Sequence, residues 1–337
     1  MRPIRIAVTA VTALLAASLA PPALGAVTTA RIGAEPRAGV HAAGKLWVLG
    51  DRGGDRVLVE ADGRTGRPTG REVLVTTGLL PGPKVLAPRL VRPSLTVAGG
   101  YLWTAVPSPD QSSNDLVRVD PRTAAVTLRV PLGANYVAAG PSGLWVTAAP
   151  ELLVDAMGRA AGAIRRVVRV DPSTGAVVDE LRYGPGMSAP LEIAVADTGV
   201  WLTRGLGDRG PLMRLPSDGR ALPANAWQLF ARGGTGLFAD RGSCRVTVAP
   251  PTGRLRDVAL CTGTSRPRDV ALSGGAIWRA GTIGGSSPRG FVSRRALDGR
   301  GPIRAWRVGR DPVDVVPSGA GVWVLNRADR TLTRVTP

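Results

Sequence analysis

The sequence predicts an all-β fold: a seven-bladed β-propeller of four-stranded antiparallel blades, the last blade closed by the N-terminal strand. Three observations carry this reading. A unit made of an apolar strand, a glycine turn and a second strand bearing a bulky aromatic recurs along the chain; its best copies span 311–326, 267–278 and 135–147. The aromatic markers are Trp47, Trp103, Trp145, Trp201, Phe238, Trp278 and Trp323, and their gaps of 37 to 56 residues centre on the ~40–45 residues of a four-stranded blade. The chain ends are also complementary. It stops just after a third strand, Leu332-Thr333-Arg334-Val335, and Val27-Thr28-Thr29-Ala30-Arg31 supplies a fourth, which removes the open sheet edge.

Each unit reads in the same order. Strand a is apolar, and strand b carries the aromatic. Strand c follows, as in Leu116-Val117-Arg118-Val119 and Val167-Val168-Arg169-Val170. A tight turn built from Asp, Pro and Gly leads to strand d; examples are Asp120-Pro121-Arg122-Thr123 and Asp171-Pro172-Ser173-Thr174-Gly175. These residues supply the side-chain hydrogen bond, the fixed φ and the positive φ that such turns need. Insertions account for the longer gaps: one near 77–84, one at 150–162 expected to contain a helical turn, and a loop at 183–190. Large rings at repeat positions fill the wedge between adjacent sheets, so the tryptophans read as packing rather than as a ligand array. Trp306 reads as an outer-strand residue and Trp227 as the start of an inner strand.

Residues 1–25 read as a signal peptide and 26–337 as one propeller domain. Arg2 and Arg5 precede the apolar run from Ile6 to Leu19, Pro21 and Pro22 break it, and Ala23-Leu24-Gly25 offers small residues for cleavage. No later stretch is long and apolar enough to span a membrane. The expected location is secreted or extracytoplasmic, which makes Cys244 and Cys261 a disulfide pair across the hairpin turned at Pro250-Pro251-Thr252-Gly253. The formal net charge is +18, and Lys45 and Lys84 are the only lysines. The arginines are scattered singly, which argues against nucleic acid and leaves an anionic cell-envelope polymer as the partner that charge would suggest.

The units resemble the YncE-like and virginiamycin B lyase-like propellers. The residues that carry the resemblance are Gly321-Val322-Trp323-Val324-Leu325-Asn326, Thr331-Leu332-Thr333-Arg334-Val335 and Val168-Arg169-Val170-Asp171-Pro172-Ser173-Thr174-Gly175. The lyase members imply opening of a cyclic depsipeptide by a histidine and glutamates around a magnesium ion. Here the residues after the blade-opening proline include Leu191, Arg268 and Val313. The residues three places after the aromatics are Gly50, Val106, Ala148, Arg204, Arg241, Gly281 and Asn326. Neither set supplies the lyase histidine or glutamates. The single histidine, His41, falls inside the first inner strand and reads as structural.

Inner strands begin near one face of the channel. The residues just before their apolar cores are Ser94, Tyr136, Glu192, Gln228, Asp269 and Asp314, with Gly39 as the first-blade counterpart and Arg268 beside Asp269. Coming from different blades, they could converge on a cation, a sugar or a peptide. Three carboxylates also suit Ca²⁺, although nothing in their spacing sets that geometry. No catalytic residue, cofactor or metal is assigned. The expected function is that of an exported, monomeric, non-enzymatic propeller binding a small ligand, glycan or protein at the channel face. Two alternatives stay open: a divergent metal-dependent lyase or hydrolase, and a structural protein of the cell envelope.

Overall fold

The structure, a computed structural model, describes residues 25–78, 93–110, 113–154, 160–183, 192–197, 199–203, 211–215, 221–225, 228–239, 244–250, 254–261, 266–283 and 289–337. The signal segment before residue 25, the loop calls within 79–84 and 184–190, and Trp227 lie outside them.

Among the described residues, twenty-eight strands form seven four-stranded antiparallel sheets. Six sheets are sequential, occupying 35–76, 95–130, 134–183, 193–225, 228–259 and 266–307. The seventh joins Pro312–Ser318, Gly321–Asn326 and Thr331–Val335 to the N-terminal strand Val27–Arg31, with Val27 opposite Val335 and Arg31 opposite Thr331. The first strand of each sheet packs against the first strands of the two neighbouring sheets, and the seventh against the first, so the inner strands close a ring.

The a–b turns are two-residue hairpins. At Gly274–Gly275 both residues have positive φ, 55° and 67°, which is the twist that matches right-handed strands and which glycine takes without a Cβ penalty. Of the insertion at 150–162, residues 150–154 and 160–162 are strand, and residues 155–159 lie outside the described residues, so the expected helical turn is not located. Strands b and c of the third sheet run on as a hairpin, Gly143–Val154 against Ala160–Val170, with Glu151 opposite Ile164. Continuing the ladder satisfies backbone groups that a single helical turn would leave without partners.

The tryptophans fill the wedges. Trp47, Trp103, Trp278 and Trp323 have no exposed surface, and each faces the next sheet around the ring. The fifth sheet departs from the expected marker. Counted from the a–b turn, Trp278 and Trp323 are each third, opposite Ala271 and Val316. The third residue in the fifth sheet is Leu237, opposite Phe230, and Phe238 is fourth. Leu237 packs toward the sixth sheet with Val270 and Ile277. Phe238 points back to the fourth sheet and meets Trp201 at 5.0 Å between ring centroids. A period-two strand sends neighbours to opposite faces, so choosing the marker by ring size moved it by one residue.

Arginine on strand c completes three of these four contacts. Arg118, Arg294 and Arg334 lie directly across from Trp103, Trp278 and Trp323, with guanidinium carbons 5.9, 5.8 and 5.9 Å from the ring centroids. Arg334 Nη1 donates to the Arg64 carbonyl at 2.8 Å and Trp323 Nε1 to the Gly63 carbonyl at 3.2 Å, both in the c–d turn of the first sheet. Arg118 likewise donates to the Pro172 and Ser173 carbonyls of the third sheet's turn. The first sheet has buried Glu60 opposite Trp47 instead. There Arg71 pairs with Glu60 at 2.9 Å and reaches the Arg122 carbonyl in the turn of the second sheet.

These turns fit closely under the rings. A Cβ on Gly66, whose φ is +71°, would lie 2.5 Å from the Trp323 indole. Gly66→Ala therefore combines a left-handed backbone with overpacking, and is expected to cost about 2–4 kcal/mol. Urea unfolding with a loss below about 1 kcal/mol would show that this turn is not clamped.

Candidate functional site

Each inner strand has a sheet partner on one side only, so the backbone N–H groups on its channel edge lack ladder partners. A register shift just before the fifth position from the a–b turn re-aims the chain in four sheets: at Pro36/Ala38, Ala134/Tyr136, Pro267/Asp269 and Pro312/Asp314. Proline suits these places because it begins an edge strand and is not asked to donate to the ladder.

The fifth-position side chains then bridge sheets. Asp269 Oδ2 accepts from Val315 N–H at 2.7 Å, Asp314 Oδ2 from Gly39 N–H at 2.7 Å, and Ser94 Oγ from Val137 N–H at 2.9 Å. Val315, Gly39 and Val137 are all fourth-position residues of the following sheet. One geometric rule thus operates at three sheet boundaries. The first-sheet counterpart is Ala38, opposite Leu49, and not Gly39; Gly39 occupies the fourth position and is the donor. Counting from the apolar core rather than from the hairpin placed it one residue late.

The channel enclosed by these strands is a cavity of about 410 Å³ with wall residues from all seven inner strands. Ser94, Tyr136, Glu192, Asp269 and Asp314 line it, so five of the sequence candidates share one space. Arg268 does not. It pairs with Asp311 at 3.4 Å, a carboxylate that also holds Arg327 at 2.5 Å. The Gln228 backbone stands opposite Ala239 at the fifth position of its sheet; its side chain lies outside the described residues. Among the described residues no three His, Cys, Asp or Glu side chains gather closely enough to hold a metal ion. Thr96, His41 and Arg232 also line the channel. Sequence reasoning sought only the strand starts and missed these, which stand second, third and first from their a–b turns in the order His41, Thr96 and Arg232.

The position three residues beyond the aromatic also takes on a new meaning. Asn326 is fully buried and donates through Nδ2 to Thr333 Oγ1 at 2.9 Å and Thr331 Oγ1 at 3.1 Å, so it ties strand b to strand c instead of facing the channel chemistry. With Leu237 as the fifth-sheet marker, the corresponding residue is Asp240 rather than Arg241. Asp240 is outside the described residues.

Cys244 and Cys261 are joined, with Cα atoms 5.1 Å apart. The bridge links the ends of the strands Arg245–Ala249 and Arg256–Ala259, and Leu260 N–H donates to the Cys244 carbonyl at 2.7 Å beside it.

No family model matches the chain, and no curated protein matches it. Solved structures do. One is an inactive variant of virginiamycin B lyase from Staphylococcus aureus determined with quinupristin: TM-score 0.58, 14% identity, 93% of this chain and 99% of that one. A streptogramin B lyase matches with TM-score 0.59 at 15% identity over 92% and 98%. Hydrazine synthase of Kuenenia stuttgartiensis reaches 0.61 at 13% identity over 91% and 97%. The chain has the propeller fold of virginiamycin B lyase. At these identities the likeness carries the fold and not the activity, and the third match shows how different the chemistry of such neighbours is.

The staples change what a carboxylate substitution does. Asp269 is 5% exposed, and Asp269→Ala would strand the buried Val315 N–H. It is expected to cost about 1–3 kcal/mol, with Asp269→Asn costing less because an acceptor oxygen remains. Equal stability of the alanine variant and the wild type in urea would remove the staple.

His41 carries a second consequence. Its Nε2 is buried with no hydrogen-bond partner among the described residues. Burial pushes the imidazole below its ordinary value; a backbone hydrogen bond with Lys45 opposes this, and the charge of Arg334 adds to it. The unfolded chain then binds more protons, so stability falls as pH drops below about 6.5 and levels off below the folded value. Thermal unfolding from pH 7.5 to 5 should slope more steeply for wild type than for His41→Gln; parallel curves would exclude this role.

Proposed function

We propose that this protein is an exported, non-enzymatic propeller that takes a small ligand, or the end of a glycan or peptide, into its central channel. The carrying observation is the cavity of about 410 Å³ walled by all seven inner strands. That size falls within the range of roughly 300–1,000 Å³ typical of small-molecule sites. Its wall mixes apolar Val40, Ile193, Leu229 and Val315 with polar Ser94, Thr96 and Glu192, which is the composition that binds and orients a ligand. The basic and apolar leader and the Cys244–Cys261 bridge support export.

Within this reading Asp269 and Asp314 also hold the ring, and Glu192 shares the channel wall with them. A divergent lyase is the weaker alternative. Its specific support is Asp240, an acidic residue three places after Leu237 in the sequence, the spacing at which the lyase resemblance expects glutamate.

Thermal shift and ligand-observed NMR against a library of amines, sugars and short peptides test the proposal. Thr96→Trp is expected to fill the channel and abolish binding with little change in unfolding temperature. Hits that bind the variant and the wild type equally would exclude the channel. Magnesium-dependent turnover of a cyclic depsipeptide would replace this reading with the lyase.

A further inference from the structure

Arg232 ends the inner strand Gln228–Arg232 of the fifth sheet, first from the a–b turn and opposite Thr235. It is exposed, and it is the one arginine or lysine among the described residues that line the channel. Arg37 and Arg268, which also lie on inner strands, are matched to carboxylates: Arg37 to Asp51 at 2.7 Å and Arg268 to Asp311 at 3.4 Å. Among the described residues no carboxylate pairs with Arg232. Asp197 is a neighbour in the fold, since its N–H donates to the Gly233 carbonyl at 2.9 Å, yet the two side chains form no ion pair. Arg232 Nη1 donates to the Leu272 carbonyl of the sixth sheet at 3.4 Å, a long contact that leaves most of the guanidinium donors unused. His41, on the same wall, adds no charge at neutral pH because burial holds its imidazole below the ordinary value. The wall carboxylates Glu192, Asp269 and Asp314 stand at the fifth positions, about 13 Å from the first positions at the strand rise per residue. A ligand anion thus finds its counter-charge at the turn end of the channel, and there it lies farthest from those carboxylates.

We propose that the ligand of this channel carries a terminal carboxylate or phosphate, and that Arg232 takes this anion at the a–b turn end; this rests on the channel being the binding site. The planar guanidinium fork matches either anion with paired N–H donors. The uncharged body of the ligand then lies along Val40, Thr96, Leu229 and Ile193, the third- and fourth-position residues between the two ends. A run of about 13 Å holds roughly four extended peptide residues, which bounds the length of the molecule. The formal net charge of +18 draws such an anion toward the protein, and Arg232 fixes which way round it enters.

The full mature protein is titrated by calorimetry with matched pairs that differ in the anion: tetra-alanine and its C-terminal amide, galacturonate and galactose, glucose 6-phosphate and glucose. At least one acidic member is expected to bind about tenfold or more tightly than its neutral partner. The pair that does so tells carboxylate from phosphate. Arg232→Gln should bring that ratio toward one without lowering the unfolding temperature, and Arg232→Lys should keep part of it. Arg300→Gln, which removes an exposed arginine of a c–d turn, should leave the ratio intact. Equal affinity for acidic and neutral members, or a preference that survives Arg232→Gln, would overturn the anion site; the channel itself would stand if Thr96→Trp still abolished binding. Binding that survives Thr96→Trp, or no binding by any pair, would overturn both.

Discussion

The ring depends on how each sheet holds the turn of the next. In the seventh sheet a buried tryptophan on strand b and the arginine across from it on strand c both donate to carbonyls of the first sheet's c–d turn; in the second sheet Arg118 alone reaches the neighbouring turn, while Trp103 Nε1 donates to Ala98 of its own sheet. Apolar contact alone has no preferred direction. Hydrogen bonds to particular carbonyls set the rotation of one sheet against the next, and that rotation decides how many sheets complete a turn. The seam obeys the same rule, since Trp323 and Arg334 of the seventh sheet hold Gly63 and Arg64 of the first.

This arrangement accounts for part of the basic composition. Arg118, Arg295, Arg256 and Arg334 each donate to a backbone carbonyl of another sheet, and Arg71, paired with buried Glu60, does the same. Guanidinium suits the task because its planar fork stacks on an aromatic face and still reaches carbonyls beyond it; lysine would give a point charge without the plane. The net charge still produces a positive field, but arginine number is a poor guide to a polyanion partner when many of the side chains act as fasteners.

At the channel the same economy of parts recurs on the inner edge. Three fifth-position side chains accept the fourth-position N–H of the next sheet, converting the exposed edges of the inner strands into cross-links. Five of the residues chosen from sequence, Ser94, Tyr136, Glu192, Asp269 and Asp314, lie on one wall, and Asp269 and Asp314 also accept backbone N–H groups of the next sheet. Sequence could not separate these uses, because a polar residue at a channel mouth has the same pattern whether it faces a ligand or a neighbouring amide. The aliphatic fifth sheet shows the related limit: Leu237 and Phe238 are adjacent and both apolar, and only the hairpin register says which one looks forward.

Local chemistry in the sequence determined the strands, the glycine and Asp-Pro turns, the pairing of Val27–Arg31 with the last strand, and the Cys244–Cys261 bridge, because each rests on short-range backbone preference or on repetition. Tertiary structure alone decided that Arg268 turns to Asp311, that Asn326 is locked between threonines, that Glu151–Val154 pairs with Ala160–Ile164, and that Arg279 meets Cys261. Those outcomes depend on residues distant in sequence or on a single step of register. A period-two chain converts one step of register into the opposite face, which composition and spacing do not record.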